Sequence, residues 1–305
     1  MQRYVLGRFL QALVAVFILS VVIFVLGRSS GDPIEVLLPP EATEEARETL
    51  RQALGLDKSW PVQYYLWVSH AVRGDFGRGF KSGMPVMELI KQRFPNSLRL
   101  AAVSLMITCL MGFPLGVIAA VKKGTAVDTL AKIIAVLGQS LPMFWVGIVL
   151  IQIFAVWLQI FPASGMGGPE HYILPAFTLG WWVVAGVMRL LRSSMLEVLD
   201  SEFVKMARIK GVSERAVIWK HTLRNALIPV VTFGGVYFAI LITAAILVEV
   251  VFAWPGMGRL VYEAIIFRDF PIIQGVVLTT AAIVVTVNLL VDIMYAYIDP
   301  RIRYG

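Results

Sequence analysis

The sequence predicts an all-α integral membrane protein with six transmembrane helices and a long external segment between the first and second of them. Of its 305 residues, 58% are hydrophobic and 15% are charged, whereas soluble domains carry about 45–50% apolar and about 25% charged residues. The mean hydropathy is +0.77. Intrinsic disorder is excluded because it requires low hydrophobicity and high net charge. The single cysteine excludes a disulfide-stapled domain.

Six apolar segments are candidates for membrane spans, because a helix needs about 20 apolar residues to cross a hydrocarbon core of about 30 Å. They are 9–27, 100–121, 133–160, 173–187, 228–252 and 275–297. The third is long enough to tilt or to end in an interfacial extension, and Pro142 predicts a kink in it. The first exceeds the length of a signal-peptide core and lacks an A-x-A cleavage site, so we expect a retained span.

The distribution of lysine and arginine predicts that both termini are cytoplasmic. The loop 161–172 has no basic residue, and the loop 253–274 has only Arg259 and Arg268. The segments predicted on the opposite side, including both termini, hold most of the other basic residues. The external segment after the first span is basic as well, but long loops largely escape the rule. The basic residues behind the net charge of +7 are therefore explained by the orientation of the chain in the membrane. No nucleic-acid partner is predicted, because no platform of interleaved basic and aromatic residues is present.

The external segment contains further predicted elements. A helix is expected to start after Thr43 and to end before Gly55, and the run 62–72 carries aromatic residues suited to the lipid headgroup level. The glycine-rich stretch 74–79 predicts a loop. Pro85 is expected to open a short amphipathic helix before the second span. Its side chains predicted to face lipid are Val86, Leu89, Ile90 and Phe94.

Motifs for catalysis or metal binding are absent from the sequence. The stretch 74–79 precedes Lys81 and resembles a phosphate-binding loop, but Phe80 breaks the required spacing. The three histidines fall in different regions without paired ligand spacing, so no metal site is predicted. No serine or cysteine lies in a nucleophile motif. An intramembrane enzyme therefore lacks any catalytic pair, and no catalytic residue is predicted.

Polar residues inside the spans are candidates for a translocation pathway or gate, since intramembrane acids are functional candidates by default. The candidates are Gln139, Gln152, Glu249, Asn288 and Asp292. Both acids also lie close enough to a span end to pair structurally, and the sequence leaves these two alternatives open. Asn288 and Asp292 are one helical turn apart and so share a face.

The largest predicted cytoplasmic loop, 189–227, has the pattern of a helix, a glycine elbow and a second helix. Gly211 permits the positive φ that ends a helix. Ser213 is a good cap for the next one, and Glu214 is favourable in its first turn. The predicted common faces are Val204, Ala207 and Lys210 or Gly211 on the first helix, and Val217, Lys220 and Arg224 on the second.

The pattern A-x3-G followed by a helix resembles the cytoplasmic "EAA" loop of ABC importer permeases, which docks on the ATPase. The general motif is E-A-A-x3-G-x9-I-x-L-P, and here Lys205-Met206-Ala207 stands at the first triplet. The segment is more similar to the dipeptide/oligopeptide branch, with its A-R-x-K-G and H-x-L-R-N-A-L-I-P. By this resemblance the ATPase-coupling residues are Ala207, Arg208, Gly211, Ser213, Glu214, Arg215, His221, Leu223 and Arg224.

Further stretches resemble the same branch: 74–77, 172–175, 252–260, 268–275 and 299–304. The chain is similar to the B-type permease of dipeptide, oligopeptide or glutathione importers. The resemblance implies a type I ABC importer permease fold in a bacterial cytoplasmic (inner) membrane. It also implies a heterodimer with a second homologous permease, two ABC ATPase subunits that use ATP and Mg, an external substrate-binding protein and a peptide-like substrate. No cofactor is expected on this chain itself.

The predicted organisation has three parts: 1–94 with the first span and external segment, 95–298 with the permease core, and a cytoplasmic tail 299–305. Candidate contacts for the binding protein lie in the outer loops and are Asp75, Arg78, Trp254, Arg259 and Asp269. The alternative function is an ion-gradient-driven secondary transporter, a class that often has inverted repeats, of which the sequence shows no convincing example. Glutathione and nickel chelates are the alternative substrates.

Overall fold

The computed structural model describes the backbone of residues 2–29 and 31–298, and the side chains of these ranges apart from 2–4, 232 and 294–298. The predicted tail 299–305 lies outside the described residues. Within them, helices dominate, and the only β feature is an isolated antiparallel bridge between Arg78 and Pro85. The all-α prediction is confirmed.

Thirteen α-helices are present in the described part of the chain. They are α1 Gln2–Ser29, α2 Pro33–Leu37, α3 Glu44–Ala53, α4 Trp60–Ala71, α5 Val86–Val121, α6 Ala126–Ser140, α7 Met143–Leu150, α8 Glu170–Leu199, α9 Glu202–Ile209, α10 Glu214–Ala216, α11 Leu223–Val251, α12 Met257–Ile266 and α13 Phe270–Ile298. Two π-helical segments, Ile151–Trp157 and Val217–Thr222, follow α7 and α10. The helix predicted after Thr43 is confirmed as α3.

In the described residues, five helices are long and apolar enough to cross a membrane: α1, α5, α8, α11 and α13. The third predicted span, 133–160, is not one helix, because α6 and α7 meet at a bend of 106°. The pair is a broken span or a re-entrant loop. Leu141 has an extended backbone, with ψ 130°, because the residue before a proline is disfavoured in the α region. Pro142 then directly precedes α7. Pro142 therefore breaks the helix where only a kink was predicted.

The chain forms two compact units, one from the residues up to Ser97 together with those from Pro255 onwards, and one from Leu98–Trp254. In the first unit, α1 and α12 pack on α13, and α4 packs on α1. A core cluster in this unit joins Phe76 to side chains of α12 and α13, including Leu260 and Ile272.

The prediction of a short lipid-facing helix after Pro85 is wrong in two respects. Helix α5 continues unbroken from Val86 to Val121. Val86, Leu89 and Ile90 are buried in the same cluster as Met257 and Val261 of α12. The apolar stripe of α5 thus meets another apolar stripe of the protein, and that contact removes its side chains from lipid.

Helix α8 is the centre of the second unit, and α6, α7 and α11 all pack on it. It is the most buried of the candidate spans, with 67% of its most apolar stretch buried. Leu179 and Val183 of α8 lie in one cluster with Leu241 and Val248 of α11. A helix that is buried on most of its faces can be apolar all round without facing lipid.

Small residues allow α5 to lie close against α8. Ser104, Thr108, Gly112 and Gly116 follow one another at intervals of four residues along α5. A Cβ atom on Gly116 would lie 3.0 Å from the Cβ of Leu191 and 3.1 Å from the carbonyl oxygen of Met188. Such stripes let helix backbones approach closely, which is how helices associate where lipid supplies no hydrophobic driving force.

We expect Gly116→Leu to destabilise the protein by about 1–3 kcal/mol, the usual cost of overpacking. The matched control is Gly234→Leu on α11, where an added Cβ has no neighbouring atom within 4 Å. The free energy of unfolding of each purified variant is the measurement. Equal losses for the two variants would contradict the close α5–α8 packing.

Candidate functional site

The connection between α8 and α11, residues 200–222, is the element in which the predicted coupling residues gather. Helix α8 continues to Leu199, so the first part of the predicted loop 189–227 is helical instead. Two buried valines attach the connection to the rest of its unit, Val204 in α9 and Val217 in the π-helical segment, each 0% exposed. The segment between them is held from both sides.

The elbow of this connection is a Schellman motif centred on Gly211. Its φ is +78°, which confirms the predicted positive φ. The N–H of Gly211 donates to the carbonyl oxygen of Arg208 at 3.0 Å, and that of Val212 donates to the carbonyl oxygen of Ala207 at 3.1 Å. These are the two hydrogen bonds that satisfy the last carbonyls of a helix in this motif. Glycine is required here by its backbone conformation and not by a lack of space. An added Cβ atom would meet no atom within 4 Å.

Ion pairs cover the charged side of the elbow. Arg208 Nε and Nη2 donate to Glu214 Oε1 and Oε2 at 2.7 and 3.3 Å, and so clasp the two arms. These side chains are 41% and 62% exposed, so the pair stabilises the elbow by about 0–1 kcal/mol. Lys205 Nζ donates to Glu202 Oε1 at 2.8 Å. This hydrogen bond lowers the pKa of Glu202 and raises the pKa of Lys205.

Large apolar side chains on α9 point away from the protein. Phe203, Met206 and Ile209 are 47%, 57% and 80% exposed, and their spacing of three residues places them on one helix face. Trp219 is exposed as well. The predicted face of Val204 and Ala207 is instead the inward one. The i, i+3, i+6 spacing of large apolar residues was the available sequence signal for the outward face.

The second arm of the elbow is not a separate helix, contrary to the prediction. Helix α10, the π-helical segment and α11 follow one another without a break. Ser213 has the extended backbone of an N-cap residue, but its side chain makes no capping hydrogen bond. Arg215 and Arg224 are exposed, His221 is half-buried, and Leu223 packs on the core of its unit. The predicted coupling residues therefore lie on a path that leads directly into α11.

A buried acid that the sequence reasoning missed joins α6 to α8. Asp128 is 1% exposed and accepts from Arg192 Nε at 2.7 Å and Nη2 at 3.0 Å. Lys132 Nζ lies 2.9 Å from Asp128 Oδ2, and the N–H of Gly124 donates to the same oxygen at 3.0 Å. The four-residue spacing of Asp128 and Lys132 was a local signal, but Arg192 is 64 residues away.

The candidate pathway residues lie in different environments. Glu249 is fully buried, Gln139 is half-buried and Gln152 is exposed, all in the second unit. In the first unit, Asn288 is exposed and Asp292 Oδ2 lies 3.4 Å from Arg8 Nε. That ion pair corresponds to the structural alternative for Asp292. Among the described residues, no group of three or more His, Cys, Asp or Glu side chains is placed to hold a metal ion.

The outer candidates divide into exposed and buried residues. Asp75, Arg78 and Arg259 are accessible. The N–H of Gly77 donates to Asp75 Oδ1 at 2.9 Å, and this hydrogen bond holds the pKa of Asp75 below its usual value, with a smaller contribution from His70.

Trp254 and Asp269 are 0% and 2% exposed, so their prediction as direct docking contacts is wrong for this conformation. Trp254 packs edge-on against Tyr172, with ring centroids 4.7 Å apart. Asp269 Oδ2 accepts from the N–H of Lys81 at 3.2 Å. Trp254 therefore shapes its loop through the burial of its indole ring. Asp269 shapes its loop through its hydrogen bond with the backbone of Lys81.

Two family models cover nearly the whole chain. Residues 112–304 match the binding-protein-dependent transport system inner membrane component family, and residues 1–101 match the N-terminal region of the same membrane components. The chain belongs to this family. It is an ABC importer permease of the dipeptide/oligopeptide/glutathione branch, an integral, multi-pass protein of the inner membrane.

Individual relatives agree with this assignment. The chain is 42% identical to the glutathione transport system permease protein GsiC of Escherichia coli K12 and of Shigella dysenteriae, over 100% of each chain. Among solved structures, an inward-facing form of the MetNI methionine ABC transporter matches with a TM-score of 0.60 and 17% identity. That match covers 70% of this chain and 97% of the other. The fold is that of type I ABC importer permeases.

Membership of this family implies partners for the permease. They are ATPase subunits, which use ATP and Mg, a substrate-binding protein and a second permease. The permease subunits of the family are themselves non-catalytic. The α8–α11 connection carries an exposed apolar face at Phe203, Met206 and Ile209.

We expect Asp128→Asn to lower the free energy of unfolding of the permease clearly more than its control does, because it leaves Arg192 without its counter-charge. The control is Asp200→Asn, an exposed acid whose replacement should change stability by less than about 0.5 kcal/mol. Thermal and denaturant unfolding of the purified variants are the measurements. A loss no larger than that of the control would show that the Asp128–Arg192 pair does not hold α6 to α8.

We expect Gly211→Val to reduce binding-protein-stimulated ATP hydrolysis and substrate import, since a valine at φ +78° carries a backbone strain of about 1–3 kcal/mol. Basal hydrolysis and membrane insertion should persist, because the substitution lies outside the spans.

The matched control for this substitution is Gly55→Val. Gly55 has φ +64° and closes α3 with the same two hydrogen bonds, from Gly55 to Gln52 and from Leu56 to Arg51. Its loss should destabilise its own segment and leave the stimulation of hydrolysis intact. Normal stimulation in Gly211→Val would remove the coupling role from this elbow.

Proposed function

We propose that this permease forms the translocation path of an ATP-driven importer for small peptides, and that it works by alternating access. The observation that carries the proposal is the α8–α11 connection. It presents Phe203, Met206 and Ile209 outward from an elbow that is closed by backbone hydrogen bonds. Exposed apolar side chains grouped on one face mark a surface for a protein partner. We assign the ATPase to that surface.

The transmission of motion follows from the continuity of the second arm. A closing ATPase that displaces Arg215 or His221 also displaces α11, because the backbone is helical without a break from the start of α10 to the end of α11. Ala207, Arg208 and Glu214 belong to the elbow and would move with it. Nucleotide and the binding protein must supply the free-energy difference between the two states, because a ligand shifts an equilibrium only through differential affinity.

The proposed substrate class is small peptides, with glutathione included. The support is the full-length similarity to relatives that are named as glutathione permeases. The binding protein supplies selectivity in this proposal, so the permease need not bind its cargo tightly. A nickel chelate remains the alternative cargo. Gln139, Gln152, Glu249 and Asn288 are the proposed pathway or gate residues.

Exposed charges on the outer loops are the proposed contacts for the binding protein, namely Asp75, Arg78 and Arg259. The proposed organisation is 1–94 for the first span and external segment, 95–298 for the permease core, and 299–305 for the cytoplasmic tail. Residues Arg301 and Arg303 of that tail contribute to the basic charge that supports cytoplasmic termini.

The proposed orientation predicts opposite accessibility for two loops. In a variant without Cys109, Ser164→Cys should react with a membrane-impermeant thiol reagent from outside, and Thr125→Cys should react only after permeabilisation. Both positions are exposed in the described structure, so burial does not protect either thiol. Mass spectrometry of the labelled protein is the measurement. The reverse labelling pattern would overturn the orientation derived from loop charge.

The energy source is testable by reconstitution. The isolated permease should neither hydrolyse ATP nor import cargo, because it has no phosphate-binding loop. The complete complex with its ATPases and binding protein should import radiolabelled glycylglycine or glutathione only with ATP. Gradient-driven uptake by the isolated permease would favour the secondary transporter. ATP-dependent uptake of a nickel chelate with exclusion of both peptides would refute the peptide class alone.

A further inference from the structure

A cavity of about 450 Å³ lies within the first unit and has no role in the proposed coupling. Its lining comes from the end of α1, from α2, from the α3–α4 connection, from α4, from the loop that follows α4, and from the start of α13. The volume is within the range of small-molecule sites, about 300–1,000 Å³.

Three polar atoms on the lining residues are buried, and no described residue forms a hydrogen bond with them. They are Arg28 Nε, Trp67 Nε1 and Gln63 Oε1. Two are donors and one is an acceptor. A buried polar atom without a partner costs about 1–3 kcal/mol, so a hydrogen bond from water or from a bound molecule would stabilise each of these three atoms.

The orientation of the Gln63 amide is determined by its neighbours. Its Nε2 donates to the carbonyl oxygens of Lys58 at 2.7 Å and Leu56 at 3.3 Å. A flipped amide would lose both bonds, so Oε1 remains as an acceptor for an incoming donor. Gln63 is 7% exposed, and it is therefore a built part of the cavity wall.

The guanidinium of Arg28 is available for an anion. Asp32 interacts favourably with the Arg28 charge, but both of its carboxylate oxygens already accept hydrogen bonds, from Arg51 Nη2 at 2.7 Å and from the N–H of Ile34 at 3.1 Å. Arg28 Cζ lies 5.5 Å from the ring centroid of Phe24, which orients the side chain without neutralising it. Trp67 supplies a second donor to the same cavity.

The lining also contains a carboxylate. Asp75 borders the cavity, with Oδ1 held by the N–H of Gly77 and Oδ2 lying 3.3 Å from Nδ1 of His70. Asp75 and Gln63 Oε1 are groups that accept hydrogen bonds from an ammonium. Arg28 and Trp67 are groups that donate hydrogen bonds to an anionic oxygen.

We propose that this cavity is a binding site for a small zwitterion, with its anionic oxygens on Arg28 and Trp67 and its ammonium group on Gln63 and Asp75. Two kinds of molecule at a bacterial membrane carry this pair of charges. One is a free peptide or amino acid, and the other is the headgroup of an ethanolamine phospholipid. The proposal does not depend on peptides being the transported cargo.

The test uses the assembled complex in phosphatidylcholine nanodiscs, with two probes. One arm titrates glycylglycine, and the other titrates short-chain dihexanoyl phosphatidylethanolamine. Calorimetry and the ligand-dependent rise in unfolding temperature are the readouts. We expect wild type to bind one probe, and Arg28→Met to weaken that binding about tenfold or more through loss of a charged hydrogen-bond donor. The probe that binds identifies the source.

Two further variants separate binding from stability. Trp67→Phe keeps the ring and removes the N–H, so it should weaken the same probe and also carries the test if Arg28→Met fails to assemble. Arg73→Met removes an exposed arginine that does not line the cavity, and it should bind as wild type does. Ligand-free Arg28→Met should be as stable as wild type.

The site is refuted if neither probe binds with an affinity that depends on Arg28 and Trp67. It is equally refuted if Arg28→Met lowers the ligand-free unfolding temperature while all affinities stay unchanged, since that result describes a structural arginine. A probe that binds in the translocation path should bind Arg28→Met and Trp67→Phe as tightly as wild type. If this is the only binding observed, the proposal is refuted.

Discussion

The backbone polar groups of this permease have no water to bond with inside a hydrocarbon core, and this constraint governs where its chain turns. Helices satisfy these groups within one segment, so departures from helical structure are displaced towards connections. Every described glycine with a positive φ lies between helices, Gly124, Gly165 and Gly211 among them. Within the predicted span 133–160, the helix is interrupted at Leu141–Pro142, where proline removes a donor and forces its predecessor to be extended.

The same solvent changes how the helices are held together. Lipid competes with leucine and valine for apolar surface, so close packing and polar contacts carry more of the association. The small residues Thr108, Gly112 and Gly116 of α5 supply the close packing. Asp128 supplies the polar contact, because Arg192, Lys132 and a backbone N–H surround its carboxylate. Both features converge on α8, the helix that leads into the α8–α11 connection.

Features carried by local chemistry were predictable from the sequence, and features that depend on a distant partner were not. Apolar runs identified the spans, and Gly211 identified the elbow, because each signal acts within a few residues. The Asp128–Arg192 pair, 64 residues apart, had no such signal. The inward turn of Val86 depends on α12, which lies more than 150 residues later. The burial of Trp254 and Asp269 likewise follows from packing, whereas their place in the predicted outer loops suggested exposure.

The elbow at Gly211, for which we propose a coupling role, is held by few interactions and is not fully covered by its own chain. Two backbone hydrogen bonds at Gly211 define its shape, and the exposed Arg208–Glu214 pair adds little free energy. Val204 and Val217 bury one side, which leaves Ile209 at 80% exposure with nothing of its own chain to cover it. Apolar area removed from water stabilises by about 25 cal/mol per Å², so a partner that covers this face gains affinity without reshaping the elbow. A rigid shape and an uncovered face together suit an element that transmits another subunit's motion and generates none itself.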